Sequence, residues 1–377
     1  MLHPNIPKFK LGFWTPSHAA PSPSDARSLS RLFGPFNAMQ RQDRRLEVVR
    51  QPFNPEGEME LPTWDYVSSL DCLYLLDPFT QHDMKLAAIA KSVGTRLWVD
   101  YIDDLQNVPP SNPHFLHFAD KELVRANMKD LIEAADIATT TTFTLKCRLP
   151  GKDKVALLPE ACRWPMCHLP RERVITWRGS PSHAEDIESV LPAIASVAAM
   201  PQFSLWKWVF FGFERPDWRL AKAFPNPAKQ LDFVPWLGPY EFVNEWGARA
   251  PYLHLSPIVD NAFNRAKTPL AWLEASAIGA ACIGPALPEW NACKGLLRYQ
   301  TPAEFGEILK AEMFKFRELE TPRGVEADPY LNNLHPAAVE SRAAIYPKRT
   351  LPAVNEIRWK ILNALAGAPK EQEAVAQ

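Results

Sequence analysis

The residues best suited to chemistry lie within 256–284, where Lys267, Thr268, Pro269 and Glu274 follow a polar turn holding Asp260, Asn261 and Asn264. Thr followed by Pro predicts a helix start, because a Thr side chain caps free backbone N–H groups and Pro at the first helical position loses no needed donor. The helix is expected to stop at Gly279. Its amino end would carry about half a positive charge, and the Lys267 ammonium adds a full one beside it, so a phosphate would meet both. Glu274 lies six residues beyond Thr268, about 9 Å along the axis at about 1.5 Å per residue. That is near the span from a diphosphate to a ribose, and a carboxylate is the natural acceptor for ribose hydroxyls. The pattern therefore suits a nucleotide diphosphate.

Strands and helices must position these groups. Residues 252–258 read as a buried strand that feeds the polar turn. Upstream, strand-like runs at 8–14, 45–50, 71–76, 95–101, 136–141 and 154–158 alternate with helical spacing at 81–92 and 121–134. Such alternation predicts α/β units and parallel sheets. The pattern restarts at Arg173 after a proline-containing connection, and Ser182 with Glu185 predicts a capping box for a helix carrying Ile187, Val190, Leu191 and Ile194. Two α/β domains are expected, 1–168 and 169–350, followed by a helix with an apolar stripe of Val354, Ile357, Ile361 and Leu365 and a polar tail, together 351–377.

Ligands of open parallel sheets bind beyond the carboxyl ends of strands, which singles out Trp14, His18, Asp100, Asp103 and Asp104 in the first domain. Carboxylates this close would raise one another's pKa if buried together, so all three aspartates are expected to face a wet cleft. There they would hold acceptor hydroxyls or, at Asp103 and Asp104, act as a base. Trp14, Trp236 and Trp290 are candidate sugar-stacking platforms near strand ends or loops.

Composition bounds the alternatives. A chain of 377 residues has length for two cores, and a net charge of −1 gives no global pull toward nucleic acid or anionic lipid. The cysteines are scattered, no signal peptide is recognised, and no apolar run approaches the roughly 20 residues of a membrane span, so a cytoplasmic chain with reduced thiols is expected. Cys162, Cys167 and His168 lack a fourth ligand at zinc spacing, and no metal is expected there.

The order Asp-Asn-x-Phe-Asn-x-x-Lys-Thr from Asp260, then Leu-Glu, a small-residue run and Gly, resembles retaining GT-B glycosyltransferases of the family-4 type, the glycosyl transferases group 1. Residues 175–194 and 206–218 resemble the opening strands of their donor domain, and 95–105 and 135–144 resemble strands of their first domain. The resemblance implies two Rossmann-like domains with a cleft between them and a last helix crossing back to the first. It implies a nucleotide-diphosphate sugar as donor, held by Arg178, Gly179, Asp260, Asn261, Asn264, Lys267, Thr268 and Glu274. Lys267 and the backbone N–H groups around Gly179 would stabilise the leaving diphosphate. Trp14, His18 and Asp100 would meet the acceptor. It further implies retention at the anomeric carbon without an enzymatic nucleophile, no tightly bound cofactor and no required divalent metal. The acceptor would be a saccharide, a lipid-linked molecule or a protein. The chain departs from the family pattern at Ala266, where many members carry a first glutamate, and at Arg178-Gly179 and His183, where they carry Gly-Arg and a lysine. One alternative is a viral-type transferase acting on a modified DNA base, its phosphates held by Arg27, Arg31, Arg41, Arg44, Arg45 and Arg50. Another is a non-catalytic two-lobed nucleotide-sugar-binding protein.

Overall fold

A computed structural model describes residues 1–15, 29–49, 64–162, 171–213, 218–319 and 334–367. The chain divides into two compact units, one comprising Met1–Val108, His117–Ala161 and Leu351–Gln377, the other Pro109–Leu116 and Cys162–Thr350. The expected boundary at residue 168 lies outside the described residues. No helix among the described residues is long and apolar enough to cross a membrane.

The first unit is built on β1 (Phe9–Trp14), β2 (Leu46–Val49), β3 (Cys72–Leu76), β4 (Arg96–Tyr101), β5 (Ile137–Thr140) and β6 (Val155–Leu157), in the order β2-β1-β3-β4-β5-β6. All pairings are parallel. A parallel sheet covered on both faces needs strands that are apolar throughout, and β3, Cys-Leu-Tyr-Leu-Leu, is wholly buried. Its helices include α1 (Gly34–Gln42), α2 (Gln81–Val93) and α3 (Lys121–Ala134). Local rules set their ends: Thr80 and Asp83 form a capping box at α2, Gly94 closes it in the left-handed region, and Asp120 caps α3 through the Leu123 N–H. The terminal helix, Leu351–Leu365, belongs to this unit, where the Asn355 amide donates to Pro35 O and the Trp359 indole to Gln42 Oε1.

The second unit carries β7 (Glu172–Arg178), β8 (Lys207–Phe211), β9 (Leu231–Val234), β10 (Pro251–Leu255), β11 (Ala281–Pro285) and β12 (Leu297–Tyr299), in the order β12-β11-β10-β7-β8-β9, again all parallel. Chain direction across the sheet reverses between β7 and β10, and ligands of such sheets bind in the crevice at that reversal. The helices that matter there are α4 (Ala184–Ala198), α5 (Pro239–Ala248), α6 (Ala262–Arg265) and α7 (Leu270–Ile278). On α4, Ile187, Val190 and Ile194 are buried in the core of this unit, as their spacing predicts.

Candidate functional site

At the reversal, β7 ends on Arg178 and passes to Gly179. A Cβ at Gly179 would stand 2.4 Å from the Trp177 ring and 3.0 Å from the Cβ of His183. Gly212, after β8, adopts φ +94°, and a Cβ there would lie 1.9 Å from Gly179 O. Both glycines are thus set by close approach. The Gly179 N–H donates to Phe211 O at 3.2 Å, so this amide is spent on the sheet end and does not face a phosphate as expected.

Arg178 forms an ion pair with Glu274 and lies beside the Phe242 ring, 6.0 Å from its centroid. Glu274, on α7, is buried. Its expected place was open to a ribose; the guanidinium stands against it instead. Arg178 Nε makes no hydrogen bond. The guanidinium therefore pairs with the carboxylate through Nη2 and keeps a donor to spare.

The turn after β10 spends most of its polar groups on itself. Asn261 Oδ1 caps α6 by accepting from Asn264 N at 2.8 Å, while Asn264 Nδ2 donates to Val259 O at 2.9 Å. Asp260 is exposed and accepts two bonds from Arg265, at 2.5 and 2.8 Å. These three hold the turn's shape. Lys267 is half-buried, its Nζ 4.8 Å from the Phe263 centroid, a cation–π distance. Thr268 does not cap α7: Pro269 takes the cap position with ψ 58°, the Leu270 N–H turns back to Thr268 O at 2.7 Å, and the Thr268 hydroxyl is left without a partner. The non-helical Pro269 shifts the first turn beyond reach of that side chain. Gly279 ends α7 with φ 86°, as expected.

Two histidines were given no role from the sequence: His183, noted only as a departure from the family pattern, and His254. The predicted Ser182–Glu185 capping box does not form, because Ser182 Oγ bonds Ser180 Oγ at 2.6 Å and Glu185 Oε2 accepts from Ser111 Oγ at 2.7 Å. His183 takes the cap position of α4, its Nδ1 2.7 Å from Asp186 Oδ2. The His-x-x-Asp spacing, which sets both on one helical face, was the signal available. Burial lowers the His183 pKa, as do Lys267 and Arg178 within electrostatic reach, against the pull of Asp186. His254, on β10, is buried with Nδ1 3.0 Å from Thr176 Oγ1 and Nε2 unpartnered, and burial, then Arg178, pushes its pKa well below the usual value.

The first-unit candidates fare differently. Asp100 does not face a wet cleft: it is fully buried and accepts from Arg31 Nε and Nη2, both at 2.8 Å, and from the Tyr74 and Thr139 hydroxyls, both at 2.5 Å. The repulsion expected of clustered aspartates is relieved by the buried arginine. Asp104 is also buried, paired with Arg148 at 2.9 Å and bonded by the Asn107 amide, which corrects its assignment as an exposed base. Asp103 is partly exposed. Trp14 is buried, donating to Asp83 Oδ1 at 2.8 Å with its ring against His82, and so offers no stacking face. Trp290 is likewise core, packed under Gly284, whereas Trp236 is 57% exposed. His18, Cys167 and His168 lie outside the described residues. Of the arginines proposed for DNA phosphates, Arg31 is consumed by Asp100 and Arg45 by Asp43, Arg41 and Arg44 are exposed, and Arg27 and Arg50 fall outside the described residues.

The sequence matches no family model and no curated protein. Solved structures match it along most of its length. An α,α-trehalose 6-phosphate synthase from Burkholderia multivorans is 9% identical, with 96% of this chain and 97% of that one covered and a TM-score of 0.58. The pneumococcal O-GlcNAc transferase GtfA, solved with UDP and GlcNAc, is 11% identical over 80% of this chain and 59% of that one, TM-score 0.54. MnaA of S. aureus, solved with UDP, is 12% identical over 97% and 98%, TM-score 0.51. At such identities the likeness is one of fold, and the fold is the two-domain α/β GT-B architecture.

Proposed function

We propose that this chain is a glycosyltransferase that moves a sugar from a nucleotide-diphosphate donor to an acceptor hydroxyl with retention at the anomeric carbon. The observation that supports it is the Arg178–Glu274 ion pair at the reversal between β7 and β10, with Lys267 on the turn that follows β10, in a GT-B chain. A ribose would take Glu274 through its hydroxyls and release Arg178, which exchanges a carboxylate for a phosphate. Lys267 and Arg178 then face the leaving diphosphate as positive charge grows on the sugar ring, and fixed charges aimed at developing charge supply a large part of catalysis. The Thr268 hydroxyl, unspent on the backbone, is a further donor to a phosphate oxygen. No side chain is assigned as nucleophile; the departing phosphate takes the acceptor's proton, and the acceptor is a saccharide, a lipid-linked molecule or a protein.

The test is mass spectrometry of the chain incubated with a panel of nucleotide sugars and cell extract, followed by NMR of the product's anomeric configuration. Release of nucleotide with an inverted product rejects retention. Absence of both transfer and hydrolysis, with binding intact, favours a non-catalytic sugar-nucleotide receptor.

A further inference from the structure

The His183–Asp186 pair links two parts of the donor site. Asp186 Oδ2 holds His183 Nδ1 at 2.7 Å, and its Oδ1 accepts the Val259 N–H at 2.8 Å, tying the start of α4 to the turn after β10. A carboxylate only accepts, so the neutral ring carries its proton on Nδ1 and keeps a lone pair on Nε2. The His183 Cβ stands over Gly179, so close that a side chain there would meet it. Asp186 holds the ring from its own helix, and the charges of Arg178, at the end of β7, and Lys267, on the turn after β10, lie within electrostatic reach of it. The other nearby carboxylates are engaged: Glu185 by Ser111, Asp260 by Arg265 and Glu274 by Arg178. With no anion present, burial and the two cations weaken the ring's hold on a second proton. A diphosphate among the same cations adds negative charge and reverses that balance.

We propose that His183 takes a proton on Nε2 when a nucleotide sugar binds, becoming a third cation at the diphosphate. This rests on the donor-site reading above and adds a regulation to it. The sign follows from linkage: a ring whose proton affinity rises on binding makes donor affinity greatest at low pH, falling as pH rises, by up to about tenfold per unit between the ring's free and bound pKa. The diphosphate of an intact nucleotide sugar stays ionised through the neutral range, so a proton taken up belongs to the protein.

Isothermal titration of the full chain with UDP-glucose, ADP-glucose and GDP-mannose, each near neutral pH in two buffers of different ionisation enthalpy, reads the proton directly. The wild type is expected to take up a fraction of one proton per sugar bound. His183→Asn, whose amide N–H can keep the Asp186 contact, should bind with no uptake and an affinity that is flat with pH; His183→Gln serves if the asparagine chain does not fold. Binding without uptake in the wild type, or equal uptake in wild type and variant, overturns the proposal while leaving the donor site intact. No binding of any of the three sugars removes the donor site and the proposal together.

Discussion

Each unit sets an arginine against a buried carboxylate near the carboxyl end of its parallel strands, and the two pairs are finished differently. In the first, Asp100 receives bonds from Arg31, Tyr74 and Thr139, and Arg31 also donates to Leu158 O. Burial alone would weaken Arg31's hold on its proton, but Asp100 and Glu160 more than offset this and raise its pKa above the ordinary arginine value. In the second, Arg178 Nη2 and Glu274 Oε2 touch, while Arg178 Nε, the Thr268 hydroxyl and His254 Nε2 stay unbonded. A saturated pair resists exchange and belongs to the scaffold. An unsaturated one is poised to accept a ligand, and the stability it forgoes is available for binding.

Mutation can break this contrast. The largest effect is expected from Asp100→Ala, which strands Arg31 in the core and should cost about 3–5 kcal/mol in denaturant unfolding; a loss below about 1 kcal/mol would place Asp100 among the weakly held groups. Lys267→Ala and Glu274→Ala should each reduce donor binding or turnover by about 10- to 1000-fold and leave the unfolding midpoint nearly unchanged. If they unfold the chain instead, the second pair is scaffold too. Thr268→Val replaces an unbonded hydroxyl by a methyl and should be neutral or stabilising by up to about 1 kcal/mol, with weakened donor affinity in the same preparation. Trp236→Ala sharpens the picture at the small end: the exposed ring should contribute less than about 0.5 kcal/mol to stability, so any measurable change in donor or acceptor affinity marks it as a binding residue.

Much of the fold was legible because its signals are local. Apolar runs and Gly279 act within a few residues, and the strands fall close to where the pattern sets them. Lys267 and Glu274, the groups proposed to hold the donor, could be picked out the same way, since they lie in one short segment. What escaped depends on partners far along the chain. Asp100 looked solvated because Arg31, Tyr74 and Thr139 reach it from other elements, and nothing beside Asp100 in sequence announces them. Trp14 looked like a platform until Asp83 claimed its indole. The Thr268 cap failed through the backbone of one residue, Pro269, whose ψ the sequence leaves open.

The terminal helix carries a further consequence. Arg358 on it is fully buried, donates to Asn355, and lies against the Phe36 ring in the charge field of Arg31, Asp100 and Glu160; burial, then Arg31, lowers its pKa to about 10. The helix's partners Pro35, Phe36 and Gln42 on α1 are nevertheless encoded more than 300 residues earlier. During synthesis α1 must therefore wait for this cover until residues 351–365 have left the ribosome, and the half made first is completed late.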